Sequence, residues 1–235
     1  MSKKSARDTE VDKIIRDLKK CAVPGAREGM ARFGIKAEHA LGVSIPDLRK
    51  MAKSIGKNHG LALRLWKTKI HEARILSSMI DEPERVTERQ MESWVKDFDS
   101  WDLCDQCCGN LFDKAKFAHR KAIEWSKKKE EFVKRAGFAL MAWMAFHDKK
   151  AEDKDFVKFF PAIMRESSDK RNFVKKAVNW ALRQIGKRNL NLNKKAIKLA
   201  KEIKTLDSKA ARWIASDALR ELQSEAVQQR LRKPK

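Results

Sequence analysis

Phe132-Val133-Lys134-Arg135-Ala136 returns as Phe173-Val174-Lys175-Lys176-Ala177, and each copy runs on to an Ala-Leu pair, Ala139-Leu140 and Ala181-Leu182. A shorter echo, Lys176-Ala177-x-x-Trp180, comes back as Lys209-Ala210-x-x-Trp213, and His71-Glu72-Ala73-Arg74 reads as a more distant member. Self-similarity at ~35–45 residues between helical segments marks helix pairs stacked as HEAT- or armadillo-like repeats, because one pair cannot bury its apolar face alone. The expectation is an all-α helical-repeat solenoid in which equivalent helix faces line one concave groove. Cations at equivalent positions, Lys134/Arg135 and Lys175/Lys176, would then lie side by side and make that groove basic.

The rest of the chain agrees with helix. It has 9 Gly, 5 Pro and no Tyr, and no run of alternating β-branched residues between turn signals. Start and stop signals are local. Ser44-Ile45-Pro46-Asp47 opens a helix that Gly56 closes; Thr87-Glu88-Arg89-Gln90 has capping-box form; Asp99-Ser100 offers a cap for a helix beginning at Trp101; Ser167-Ser168-Asp169 is expected to start the Trp180 helix. With no interior low-complexity linker, residues 1–235 read as one domain with ragged basic ends, Met1–Asp8 and Gln228–Lys235.

Lys and Arg outnumber Asp and Glu by 54 to 32, a formal charge of +22, with a pI near 10.0 and a mean hydropathy of −0.64. An excess this large implies a polyanionic partner, most simply nucleic acid, with an acidic membrane surface as the weaker alternative. Arg165–Lys204 alone holds 13 basic and 3 acidic residues. Within it, Phe173–Arg188 is an amphipathic helix with Val174, Ala177, Val178, Ala181 and Ile185 as its apolar stripe. Lys176, Trp180, Arg183 and Lys187 form a ridge beside that stripe. Two readings fit Trp180: the edge of the stripe, packed on a neighbouring helix, or an aromatic face on a surface that meets phosphates.

Of the four cysteines, Cys104, Cys107 and Cys108 share one predicted helix. No second Cys or His cluster completes a four-ligand zinc set, so small buried thiols are expected and no metal or cofactor is called for. The five histidines form no recognisable pattern. Reduced thiols, with no signal peptide and no long apolar run, suggest a cytoplasmic protein without a membrane role. Nothing requires an oligomer, so a monomer is expected.

Trp101-Asp102-Leu103-Cys104-Asp105 is the other unusual stretch. On a helix Trp101 and Asp105 are i, i+4 neighbours. Asp102 in the first turn suits the positive helix end. Asp105 has no propensity reason to be mid-helix; it is either half of a buried ion pair with an Arg on the next repeat, Arg135 for example, or a functional carboxylate.

Over roughly residues 30–220 the chain resembles the AlkD-type DNA alkylation-repair glycosylases. The resemblance is carried by Trp101-Asp102-x-x-Asp105, by Phe132-Val133-Lys134-Arg135-Ala136, by Phe173-Val174-x-Lys176-Ala177-x-x-Trp180-x-Leu182-Arg183, and by Leu41-Gly42-Val43-x-x-Pro46-x-x-Arg49. One departure is Ser100, where some members carry a further Trp. The resemblance implies a HEAT-like protein that releases N3- and N7-alkylated purines from duplex DNA. It assigns Asp105, Trp101 and Trp180 to the active site, and Arg135 to the same groove. Arg135, Lys176, Arg183 and Lys187 would hold phosphates, and the four residues Trp101, Asp105, Arg135 and Trp180 are expected to converge on one wall. A purine alkylated at N3 or N7 leaves as a neutral base and needs no general acid, so a single carboxylate opposite an oxocarbenium-like sugar suffices. The alternatives are a HEAT-like nucleic-acid scaffold without chemistry, and an adapter for acidic proteins.

Overall fold

The computed structural model describes residues 3–36 and 38–233, with side chains from Glu10 onward. Residues Met1–Ala115 and Lys116–Lys235 form two compact units. The first holds α1 (Lys3–Lys20), α2 (Ala26–Arg32), α3 (Ile45–Ile55), α4 (His59–Trp66), α5 (His71–Ile80), α6 (Glu88–Lys96) and α7 (Trp101–Asn110). The second holds α8 (Ala118–Trp125), α9 (Glu131–His147), α10 (Asp153–Val157), α11 (Phe160–Glu166), α12 (Asn172–Gly186), α13 (Leu190–Lys204), α14 (Lys209–Leu222) and α15 (Glu225–Arg232). Among the described residues there is no strand, and no helix is long and apolar enough to cross a membrane. Both ends expected to be ragged are helical where they are described, from Lys3 and as far as Arg232; Met1, Ser2, Pro234 and Lys235 lie outside the described residues.

Most of the helix starts follow the sequence signals. The Ser44 hydroxyl accepts from Asp47 N at the start of α3, and Gly56 closes that helix. Thr87 Oγ1 accepts from Gln90 N at 3.1 Å to open α6. The reciprocal half of that capping box is not made, because the Gln90 amide turns inward to donate to Asp81 Oδ2 at 2.6 Å. α7 begins at Trp101 as expected, but the Ser100 side chain makes no capping hydrogen bond. The start of α12 is displaced. This helix begins at Asn172, beyond Ser167-Ser168-Asp169, because the Asp169 carboxylate accepts from both the backbone N–H and the guanidinium of Arg171 and holds the turn open to that point.

In the first unit α5 is the central helix: every residue but Met79 is buried, and α3, α4 and α7 pack on it. Trp66 and Trp94 stack face to face at 3.9 Å beside it, with Phe98 and Phe112 tilted against them. In the second unit α9, α12 and α14 follow one another as neighbours, with α8 on α9 and α13 on α12 and α14. The Phe-Val-Lys repeat is real in space, since Phe132 and Phe173 meet at 5.5 Å. The Lys-Ala-x-x-Trp echo is not the structural register. Lys175 meets Trp213, Asn179 donates to Asp217, and Arg183 pairs with Glu221, three contacts with one common offset along the chain. Trp213 is therefore level with Lys175 and not with Trp180.

Gly137 sets the spacing of α8 and α9. A Cβ there would lie 2.6 Å from Ser126 N and 2.9 Å from Ala122 O, both backbone atoms that cannot step aside without moving the helix. Gly137→Ala should therefore destabilise the protein by ~1–3 kcal/mol, the usual cost of overpacking. Gly29, whose Cβ would meet nothing within 4 Å, serves as the control. Urea denaturation of both variants checks this, and equal midpoints for the two would contradict it.

Candidate active site

The first turn of α5 builds one end of a cleft in the first unit. Glu72 is 1% exposed, and its carboxylate accepts from three successive backbone N–H groups, Leu41, Gly42 and Val43, with Gly42 N closest at 2.6 Å. Three donors can converge on one carboxylate because Gly42 has φ 84, and a Cβ at that position would come within 2.8 Å of Ala26 Cβ. The Leu41-Gly42-Val43 signature of the sequence is thus an anion cradle, and its anion is an internal one.

His71, the preceding residue, reaches the opposite wall. Its Nε2 lies 2.7 Å from Asp102 Oδ2 in the first turn of α7. Burial pushes the His71 imidazolium down, but Asp102, with Glu72 and Asp99 behind it, more than offsets this, and the pKa of His71 is raised above its ordinary value. Burial likewise pushes the Asp102 carboxyl up. The hydrogen bond and charge of His71, together with the Ser100 hydroxyl and Leu103 N–H, reverse that and hold it below the usual range. Asp102 is therefore more than a helix-end carboxylate; its main partner is the histidine at the head of α5.

Between these two walls lies a cleft of about 430 Å³. Met30, Ile35, Val43, Ile45 and Ile75 give it an apolar lining, and Trp101, Asp102, Asp105 and Gln106 line it from α7. Trp101 is half-buried, and its indole N–H donates to the Phe33 carbonyl at 3.0 Å, which fixes the ring against the end of α2. Asp105 is half-buried, one helical turn beyond Trp101. Cys104, Cys107 and Cys108 of α7 are fully buried. Burial pushes the Cys107 and Cys108 thiols well up, so they are inert packing groups. Among the described residues no group of His, Cys, Asp and Glu could hold a metal ion.

The second unit carries the remaining predicted residues. Trp180 is half-buried and meets Trp143 of α9 edge to face at 5.5 Å, while Trp143 stacks on His147 at 4.9 Å. The packed reading of Trp180 thus holds for part of the ring, with the rest exposed. Lys176 is exposed and makes no ion pair among the described residues. The other cations are engaged. Arg183 and Lys187 both bind the Glu221 carboxylate of α14, Lys187 at 2.6 Å. Burial pushes Glu221 up, yet these two cations hold it below the usual carboxylate range. Arg135 is 6% exposed and donates to the Phe173 carbonyl at 2.7 Å, in the first turn of α12.

Sequence reasoning missed His71, Glu72 and Trp143 as site neighbours. Gly42 was the available signal for the Glu72 cradle, because a glycine held in a short motif implies a positive φ. Nothing local signalled the His71–Asp102 pair or the Glu221 bridge, because each joins helices far apart in the chain.

A family model described as DNA alkylation repair enzyme matches residues 14–222. A solved structure described as "A new family of proteins related to the HEAT-like repeat DNA glycosylases with affinity for branched DNA structures" has the same fold, with a TM-score of 0.79, 19% identity, and 94% of this chain and 95% of that chain covered. No curated protein matches the chain.

The His71–Asp102 pair makes stability depend on pH in a defined sense. His71, with its raised pKa, contributes stability that is full below its unfolded pKa and is lost as pH rises through the folded value. Asp102, with its lowered pKa, contributes stability that is present above its unfolded pKa and is lost as pH falls through the folded value. The pair is therefore strongest in the mildly acidic window between the ordinary Asp and His pKa values. Asp102→Asn should cost more stability at about pH 5.5 than at about pH 8.5. Urea midpoints of both proteins at the two pH values measure this; an equal cost at both would mean that His71 is not charged in the folded state.

Proposed function

This chain belongs to the DNA alkylation repair enzyme family, and from that premise we propose that it is a DNA glycosylase. Its substrates would be cationic N3- or N7-alkylated purines in duplex DNA. The observation that carries the proposal is the place of Asp105, half-buried on the wall of an apolar cleft, one helical turn from a fixed tryptophan.

One such carboxylate matches the chemistry. An alkylated purine already carries the positive charge that a general acid would otherwise supply, so the C1′–N bond breaks with a neutral base leaving. The electron-poor sugar left behind is stabilised by Asp105, which also accepts a hydrogen bond from the water that adds to C1′. Trp101 would close the sugar off from bulk water, and its electron-rich face favours a nearby cation. Trp180 is proposed as the second aromatic contact to the DNA. Lys176 would meet a phosphate directly. Arg183 and Lys187 can add phosphate contacts only by sharing or releasing Glu221, and buried Arg135 adds positive field while securing the start of α12.

A second reading, DNA binding without chemistry, is favoured by the similar solved structure, whose description speaks of affinity for branched DNA and of relation to glycosylases. One variant separates the two. Asp105→Asn keeps size and hydrogen bonding but removes the charge, so single-turnover release of 7-methylguanine should fall about 100- to 1,000-fold, with duplex affinity unchanged or slightly tighter. Near-normal release by the variant, or none by the wild type, would transfer the protein to the binding-only reading.

Salt dependence tests the cation assignments. Each phosphate neutralised contributes a slope of about −0.9 in log K against log salt. Lys176→Ala should flatten the slope by about that amount, and Lys187→Ala by less, because Glu221 already offsets part of its charge. Equal flattening by the two substitutions would show that Glu221 gives Lys187 up on binding.

A further inference from the structure

Trp213 stands apart from the site above. It keeps 41% of its surface in water, which is unusual for so large an aromatic side chain in a protein with ample core. The Lys175 ammonium sits 4.7 Å from its ring centroid. The ring lies in a groove of about 840 Å³ to which Lys170, Lys175, Lys209 and Arg212 contribute four cations, and Asp207 the only carboxylate. Asp207 is fully exposed, and its 3.2 Å contact with Arg212 is a surface pair that solvent weakens. The placement of the cations also runs against helix electrostatics. Lys209 opens α14, and neither α14 nor α12 has an acidic residue in its first turn, although the positive end of a helix favours carboxylates there. Cations crowded at two such ends are stabilised when an anion joins them. None of Lys176, Trp180, Arg183 and Lys187 lines this groove.

We propose that this groove is a second DNA-contact site, one that takes single-stranded DNA, with an unpaired base stacking on Trp213 and its flanking phosphates held by Lys170, Lys175, Lys209 and Arg212. Along a duplex the base faces are covered by stacking, whereas an unpaired base presents the flat face that an exposed indole can stack on, with little regard to sequence. The inference rests on the DNA reading for the nature of the polyanion. It does not depend on Asp105 or on any chemistry.

The test is equilibrium binding of a fluorescein-labelled single-stranded oligonucleotide and of a blunt duplex to the full chain. Wild type is compared with Trp213→Ala, Trp213→Phe and Lys209→Ala, and 7-methylguanine release from blunt duplex is read in parallel. Trp213→Ala should weaken single-strand binding by roughly 10-fold, and Trp213→Phe should restore most of it. Lys209→Ala should flatten the single-strand salt slope by about 0.7. Blunt-duplex affinity and base release should not change. Unaltered single-strand affinity in Trp213→Ala would overturn the proposal. So would displacement of the strand by polyglutamate as effectively, at equal charge, as by unlabelled DNA, because the groove would then be a site for acidic protein. If wild type releases no base but Trp213→Ala still loses single-strand affinity, the glycosylase reading fails and this surface stands.

Discussion

Two adjacent side chains at the start of α5 hold the cleft together. Glu72 gathers the backbone of Leu41–Val43, and His71 grips Asp102 at the head of α7. A carboxylate that is 1% exposed is tolerable only when its lone pairs are filled, and three converging N–H groups fill them. That requirement explains the loop: Gly42 must take a positive φ for the three donors to point inward, and the close approach of Ala26 leaves no room for a Cβ. With one wall fixed by Glu72 and the other by His71, α7 presents Trp101 and Asp105 from a rigid helix. A proposed electrostatic catalyst needs such preorganisation, because a carboxylate that must reorganise during the reaction gives back most of its stabilisation.

The same economy operates in the second unit with the signs reversed. The ridge of Lys176, Trp180, Arg183 and Lys187 is laced by Asp217 and Glu221, which bridge α12 to α14 through Asn179, Arg183 and Lys187. These bridges define the register between the two helices. On this ridge Lys176 stays available, and further cations gather around Trp213. Net charge alone does not separate structural cations from those that meet a partner; the positions of the few carboxylates do.

The architecture was legible in the sequence because it depends on local and periodic signals. Caps at Ser44 and Thr87, the apolar stripe of α12 and the Phe-Val-Lys repeat each reflect which faces must be buried or which N–H groups need an acceptor. The burial of Cys104, Cys107 and Cys108 followed from small residues at helical spacing. The shorter echo misled, because Lys-Ala-x-x-Trp recurs by composition, whereas register is set by which side chains meet across the interface. The Trp101/Asp105 motif could be found by spacing. Its supports could not, since His71 and Asp102 carry no mark of pairing until the chain is folded. The bond from Arg135 to the Phe173 carbonyl was hidden for the same reason: a sequence displays charge, but the burial of a guanidinium is tertiary.

If one carboxylate with no partnered acid does the proposed chemistry, the leaving base must bring its own positive charge. The direct measurement is single-turnover release of two bases from otherwise identical duplexes, cationic 7-methylguanine and neutral hypoxanthine. The proposed chemistry predicts release of 7-methylguanine with hypoxanthine left in place. Comparable release of hypoxanthine would mean that a general acid operates in the cleft, and the assignment built on Asp105 alone would be wrong.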